Sequence, residues 1–117
     1  MKRILIVEDD FILSLVNKKN LQLMGHTIVA CVTNGPAAIE AVKIYKPDVI
    51  LMDIRLDGEM NGIEAMRKIS LFSDVPAIYL TGNSDEESRG QAATTNMIGF
   101  CVKPIHFGQL EAILKKM

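Results

Sequence analysis

The apolar positions of this chain gather into five short runs, and between the runs they recur every three or four residues. Residues 3–7 (RILIV), 27–32 (TIVACV), 48–52 (DVILM), 77–80 (AIYL) and 99–102 (GFCV) are almost unbroken apolar segments. Runs of this length with turn signals at both ends predict strands covered on both faces, as in a parallel sheet. The stretches between and after them predict helices over 10–24, 36–45, 61–72, 85–96 and 107–116. Five strand–helix units in succession imply a parallel sheet with helices on both faces, because each crossover is right-handed and must cover its strand. The punctuation agrees. Gly25 closes the first helix, Asn34-Gly35-Pro36 opens the second, Pro47 separates the second helix from the third strand, and Ser84 caps the fourth helix. Gly90, Thr94 and Thr95 lower the propensity of that fourth helix. With no repeat, linker or low-complexity segment, residues 1–117 are expected to form a single α/β domain.

Composition narrows the function by exclusion. The chain is 49% hydrophobic and 23% charged with a net charge of -1, so neither disorder nor a generic basic nucleic-acid surface is indicated. No apolar run approaches the roughly 20 residues of a membrane span, and the start, MKRILIVEDD, turns acidic too early for a secretory signal. The expectation is a cytoplasmic protein that binds neither membrane nor nucleic acid. Cys31 and Cys101 fall in predicted strands without metal-ligand or redox spacing and are expected to be buried, reduced thiols. His26 and His106 are isolated and expected in solvated loops, while Met52, Met60, Met66 and Met97 are expected to fill the core or cover loops.

The candidate chemistry lies at the ends of the runs. The first run leads into Glu8 and Asp9, the third into Asp53, the fourth into Thr81 and the fifth into Lys103. In open parallel sheets the carboxyl ends of the strands line the ligand crevice, so these five residues are expected to meet. Three converging carboxylates raise one another's pKa, and a hard divalent cation among them relieves the repulsion. A lysine and a hydroxyl on the rim of such a site suit phosphoryl chemistry. Asp10 has a plainer role as the acidic start of a helix.

An acidic pair, an Asp 44 residues after Asp9, a Thr 28 residues further and a Lys-Pro 22 beyond that closely resemble the receiver domain of two-component response regulators. The resemblance spans the whole chain. It implies a flavodoxin-like (βα)5 fold with strand order 2-1-3-4-5 and phosphorylation of Asp53 by a histidine kinase or phosphotransfer protein. It further implies magnesium held by Glu8, Asp9, Asp53 and the backbone carbonyl of Arg55, with a cis Lys103–Pro104 bond. Thr81 and Phe100 would form the switch, Phe100 moving inward when the Thr81 hydroxyl turns to the phosphate. Such a domain assists its own phosphorylation and dephosphorylation and is otherwise no enzyme.

Each of these roles is chemically suited to its residue. A carboxylate can attack phosphorus to give an acyl phosphate, an ammonium offsets charge on the phosphoryl oxygens, and a hydroxyl donates to one of them. The chain also departs from the family's usual pattern. The segment after Asp53, IRLDGEMNG, lacks a common proline four residues on and is one residue longer than in many relatives. Phe100 stands where tyrosine is common. Ile98 and Gly99 replace an acidic pair found in receivers that dimerise through salt bridges.

Phe11, Ile12, Leu13, Leu15 and Val16 make the start of the first helix more apolar than one buried face requires. Some of these side chains are therefore expected at the surface as a docking site for the phosphodonor, and a homodimer is the other way to cover them. Competing functions fit less well. A haloacid-dehalogenase-like phosphatase wants a second Asp where Arg55 stands, and a flavodoxin wants a phosphate loop where Glu8 and Asp9 place negative charge. The remaining alternative is a receiver-shaped interaction module that is never phosphorylated.

Overall fold

The computed structural model describes residues 1–82 and 86–117. Five strands, β1 (Arg3–Val7), β2 (Thr27–Val32), β3 (Val49–Asp53), β4 (Ala77–Thr81) and β5 (Met97–Val102), alternate with five helices. These are α1 (Phe11–Leu23), α2 (Gly35–Tyr45), α3 (Gly62–Ile69), α4 (Glu86–Ala92) and α5 (Phe107–Lys115). All strand pairings are parallel and the order is β2-β1-β3-β4-β5.

Strand periodicity divides the core in two. Leu5, Val7, Ile50, Met52 and Tyr79 point to one side, where they pack with Ala38, Ala41, Val42, Ile63, Met66 and Ala92 of α2, α3 and α4. Ile4, Ile6, Leu51, Ile78 and Leu80 point to the other, against Leu21 of α1 and Leu110 and Leu114 of α5. Met52 and Met66 are fully buried, while Met60 and Met97 pack against the first cluster from its edge.

The helix ends follow their sequence signals. Asp10 caps α1 by accepting the N–H groups of Ile12 and Leu13. Gly25, at φ +93°, closes α1 with two bonds, its own N–H to Gln22 and that of His26 to Leu21, a Schellman arrangement that needs the left-handed residue. Asn34 caps α2 through Ala37. Asn61 and Glu64 form a reciprocal capping box on α3. The expected Ser84 cap lies outside the described residues.

Several expectations are corrected. Helix α3 ends at Ile69 and not at residue 72, because the next residues bond three positions back (Leu71 to Lys68, Phe72 to Ile69). Strand β5 starts two residues early: Met97 pairs with Ala77 and Gly99 with Ile78, so Ile98 is the extra residue of an irregularity. His26 is buried, with Nδ1 accepting the N–H of Lys2 and Nε2 3.5 Å from Glu111. Its burial comes from packing of the α1–β2 turn against the chain start and α5, which no local pattern reveals. Cys31 is exposed because β2 is an edge strand, whereas Cys101 is buried.

Candidate functional site

The expected residues converge at the carboxyl edge of the sheet. Strands β1, β3 and β4 are neighbours in the sheet, so Glu8, Asp53 and Thr81 leave it side by side, and Lys103 follows β5 at its edge. Asp53 and Thr81 are themselves the last residues of their strands, one position past the expected ends at Met52 and Leu80. The N–H of Lys103 donates to the carbonyl of Thr81 at 2.7 Å, which carries the β4–β5 pairing one residue past the strands. The Lys103–Pro104 bond is cis.

The geometry is that of one ammonium held between two buried carboxylates. Lys103 Nζ donates to Glu8 Oε1 and to Asp53 Oδ2, at 2.9 Å each. Glu8 is 1% exposed and Asp53 3%. The second oxygen of Glu8 accepts the N–H of Asp10, and the second oxygen of Asp53 accepts the N–H of Arg55 at 3.2 Å. Both carboxylates are thereby fixed in orientation. Asp9 is the most open of the three acids, and one carboxylate oxygen from each of Glu8, Asp9 and Asp53 lies within 4.8 Å of the others. The Arg55 side chain is exposed.

The electrostatics follow from burial and crowding. Burial first, then the neighbouring Asp53 carboxylate, push the Glu8 pKa above the ordinary value, with Lys103 and the Asp10 N–H pulling the other way. Burial alone would lower the Lys103 pKa, but the hydrogen bonds and charges of Asp53 and Glu8 outweigh it and hold the ammonium firmly protonated. Three carboxylates and one ammonium leave two negative charges. All the ligand atoms are hard oxygens, so the set fits magnesium or calcium far better than a soft metal.

Around this centre the structure adds residues that sequence reasoning missed. Gly62, at the start of α3, is crowded: a Cβ there would collide with the backbone carbonyl of Asp53 and come within 2.8 Å of Met52 Cγ. Only a residue without a side chain lets α3 pack so closely behind the Asp53 backbone, and its place just after the Asn61 cap was the available signal. In the β3–α3 loop, Asp57 forms a parallel bridge with Asn34 and Gly58 adopts φ +89°. The residue at the family's proline position thus pairs with the β2–α2 loop. Gly82 leaves open space beside Thr81.

Phe100 is already buried, at 9% exposure, with the guanidinium of Arg89 5.2 Å from its ring centroid. Thr81 is also buried.

Helix α1 is inverted beside the site. Its buried positions are Ser14, Asn17 and Leu21, and Phe11 and Ile12 are 78% and 69% exposed, with Leu13, Leu15 and Val16 partly so. A groove of about 440 Å³ runs from Glu8 and Lys103 between Leu13, Val16 and Asn17 on α1 and Ile105 and Phe107.

Comparison with known proteins bears on the fold and the family. The chain is 30% identical to the chemotaxis protein CheY of Thermotoga maritima over 99% of its own length and 97% of that protein. It is 31% identical to the transcriptional regulatory protein ZraR of Escherichia coli K12 over 97% of its length, yet spans only 25% of that protein. Among solved structures it superposes with TM-score 0.91 and 26% identity on the signal receiver domain of a modulated diguanylate cyclase from Desulfovibrio desulfuricans G20, covering 99% of this chain and 92% of that one. A profile of the response regulator receiver domain matches residues 4–115, and the chain therefore belongs to the response regulator receiver domain family.

Proposed function

We propose that this chain is a single cytoplasmic receiver domain in which Asp53 accepts one phosphoryl group from a histidine kinase or phosphotransfer protein. The observation that carries the reading is the Lys103 ammonium suspended between Asp53 and Glu8, with Asp9 and Thr81 on the same rim. The Asp53 oxygen attacks phosphorus, a P–O bond forms, and the bond from phosphorus to the donor atom breaks. Lys103 stays beside Asp53 and offsets charge on the transferred group, while the Thr81 hydroxyl donates to another of its oxygens. Glu8, Asp9, Asp53 and the Arg55 carbonyl would hold magnesium, which supplies charge neutralisation at the phosphoryl oxygens. Among the described residues no helix is long and apolar enough to cross a membrane.

The exposed apolar start of α1 and the adjoining groove are the docking surface of the donor. An inverted helix leaves Phe11, Ile12 and Leu15 in water next to the acceptor carboxylate, and a helical donor that covers them brings its phosphate to Asp53. A homodimer over the same face would compete with the donor.

Intact-mass spectra of the chain incubated with acetyl phosphate test the chemistry. One phosphoryl group should appear with magnesium and none with excess chelator, and Asp53→Asn should abolish uptake. Equal labelling of Asp53→Asn would reject the acceptor. In the same experiment with the cognate protein donor, Leu15→Ser should slow transfer severalfold while leaving uptake from acetyl phosphate intact; an unchanged transfer rate would reject the docking surface.

A further inference from the structure

Arg89 stands outside the acceptor chemistry yet contacts the residue that leads into it. Phe100 pairs with Tyr79 across β4 and β5 and shares the apolar cluster of Tyr79, Ala92 and Met97. The exposed Arg89 of α4 covers the ring, its guanidinium 5.2 Å from the centroid, within the range of a cation–π contact. Glu86 and Glu87 lie on the same short helix, but among the described residues no carboxylate pairs with Arg89. Three residues beyond the ring is Lys103. The stretch between them is locked to β4, with Val102 opposite Thr81 and the Lys103 N–H on the Thr81 carbonyl at 2.7 Å. Ring and ammonium therefore belong to one short segment at the end of β5.

We propose that Arg89 is a positioning residue for the phosphoacceptor site: by covering Phe100 from α4 it keeps the end of β5 seated and so keeps Lys103 between Asp53 and Glu8. The proposal rests on the phosphoacceptor reading above. A contact that favours the seated arrangement raises phosphoryl uptake in proportion to the population it adds, and an exposed cation–π contact of usual strength corresponds to about two- to fivefold. The coupling runs both ways. A phosphoryl group that holds Lys103 would also favour the ring seated under Arg89.

The test pairs two readouts on the full chain. Uptake from acetyl phosphate with magnesium is followed by intact mass, and the ring by fluorine NMR of fluorophenylalanine-labelled protein. Arg89→Met, which keeps length and removes charge, should slow uptake about two- to fivefold and move the Phe100 resonance. Arg89→Lys should restore part of both. Lys43→Met removes the comparable cation 5.3 Å from the Phe72 ring, at the opposite end of the sheet, and should change neither uptake nor the Phe100 resonance. Wild-type uptake in Arg89→Met overturns the proposal, as does slower uptake with an unmoved ring resonance, which would mark a charge effect alone. If the wild-type chain takes up no phosphoryl group, the acceptor reading falls, and the ring resonance still decides whether Arg89 seats Phe100.

Discussion

Glu8 carries a pH dependence of the fold in metal-free buffer. Its pKa is raised in the fold by burial and by Asp53, so the folded chain holds this proton more tightly than the unfolded chain does. The stabilisation from the bound proton is complete below the unfolded value, near 4.5, and is lost as pH rises through the higher folded value. In magnesium-free buffer Glu8→Gln should therefore gain stability relative to wild type as pH climbs from 4 to 7. Urea denaturation at several pH values checks this, and a difference between the two proteins that stays constant with pH would refute it. Glu8, Asp53, Thr81 and Lys103 were legible in the sequence because each stands at a strand end, where topology alone assembles them. Cys31 and His26 were not. The exposure of Cys31 depends on β2 being an edge strand, and the burial of His26 depends on Lys2 and Glu111, neither of which is near it in the chain.

Elements were readable where a cap and a periodic pattern coincide, as at Asp10, Asn34 and Asn61. They were misread where tertiary bonds decide, as at the turn-like end of α3 and the irregular start of β5. The inversion of α1 was half visible: an excess of apolar residues showed in the sequence, but not that Ser14 and Asn17 would take the buried positions. The contact between α3 and β3 yields a further prediction. Gly62→Ala forces a methyl group into the Asp53 carbonyl, and because backbone cannot turn aside as a side chain can, the cost should fall at the upper end of overpacking, about 3 kcal/mol. Gly82→Ala, with open space around it, is the control and should cost far less. Thermal melts of the two variants check this, and equal losses would show that the close approach is relieved by a small movement of α3.

For the whole molecule, the site is where ligand binding and folding meet. Three carboxylates facing one ammonium repel one another, and a further cation among them would relieve that repulsion. Magnesium at ten times its dissociation constant should then stabilise the fold by about 1.4 kcal/mol. Asp9→Asn should raise stability in chelator and blunt the response to magnesium. Melts in which the variant and wild type respond alike would remove Asp9 from the metal site.

The opposite rim of the sheet is closed by the chain itself. Arg3 donates its guanidinium to the carbonyls of Tyr45 and Lys46 at the end of α2, and its N–H to the Asp48 carboxylate that precedes β3. These contacts join positions 42 to 45 residues apart, and every strand pairing in the sheet is parallel, so assembly cannot begin from a hairpin. The β1–β3 pairing forms only after the intervening loop has closed, with its entropy lost before the sheet returns any contact. Arg3 fastens that loop where β1 and β3 begin, so the basal clamp holds together the two ends whose meeting the parallel pairing requires.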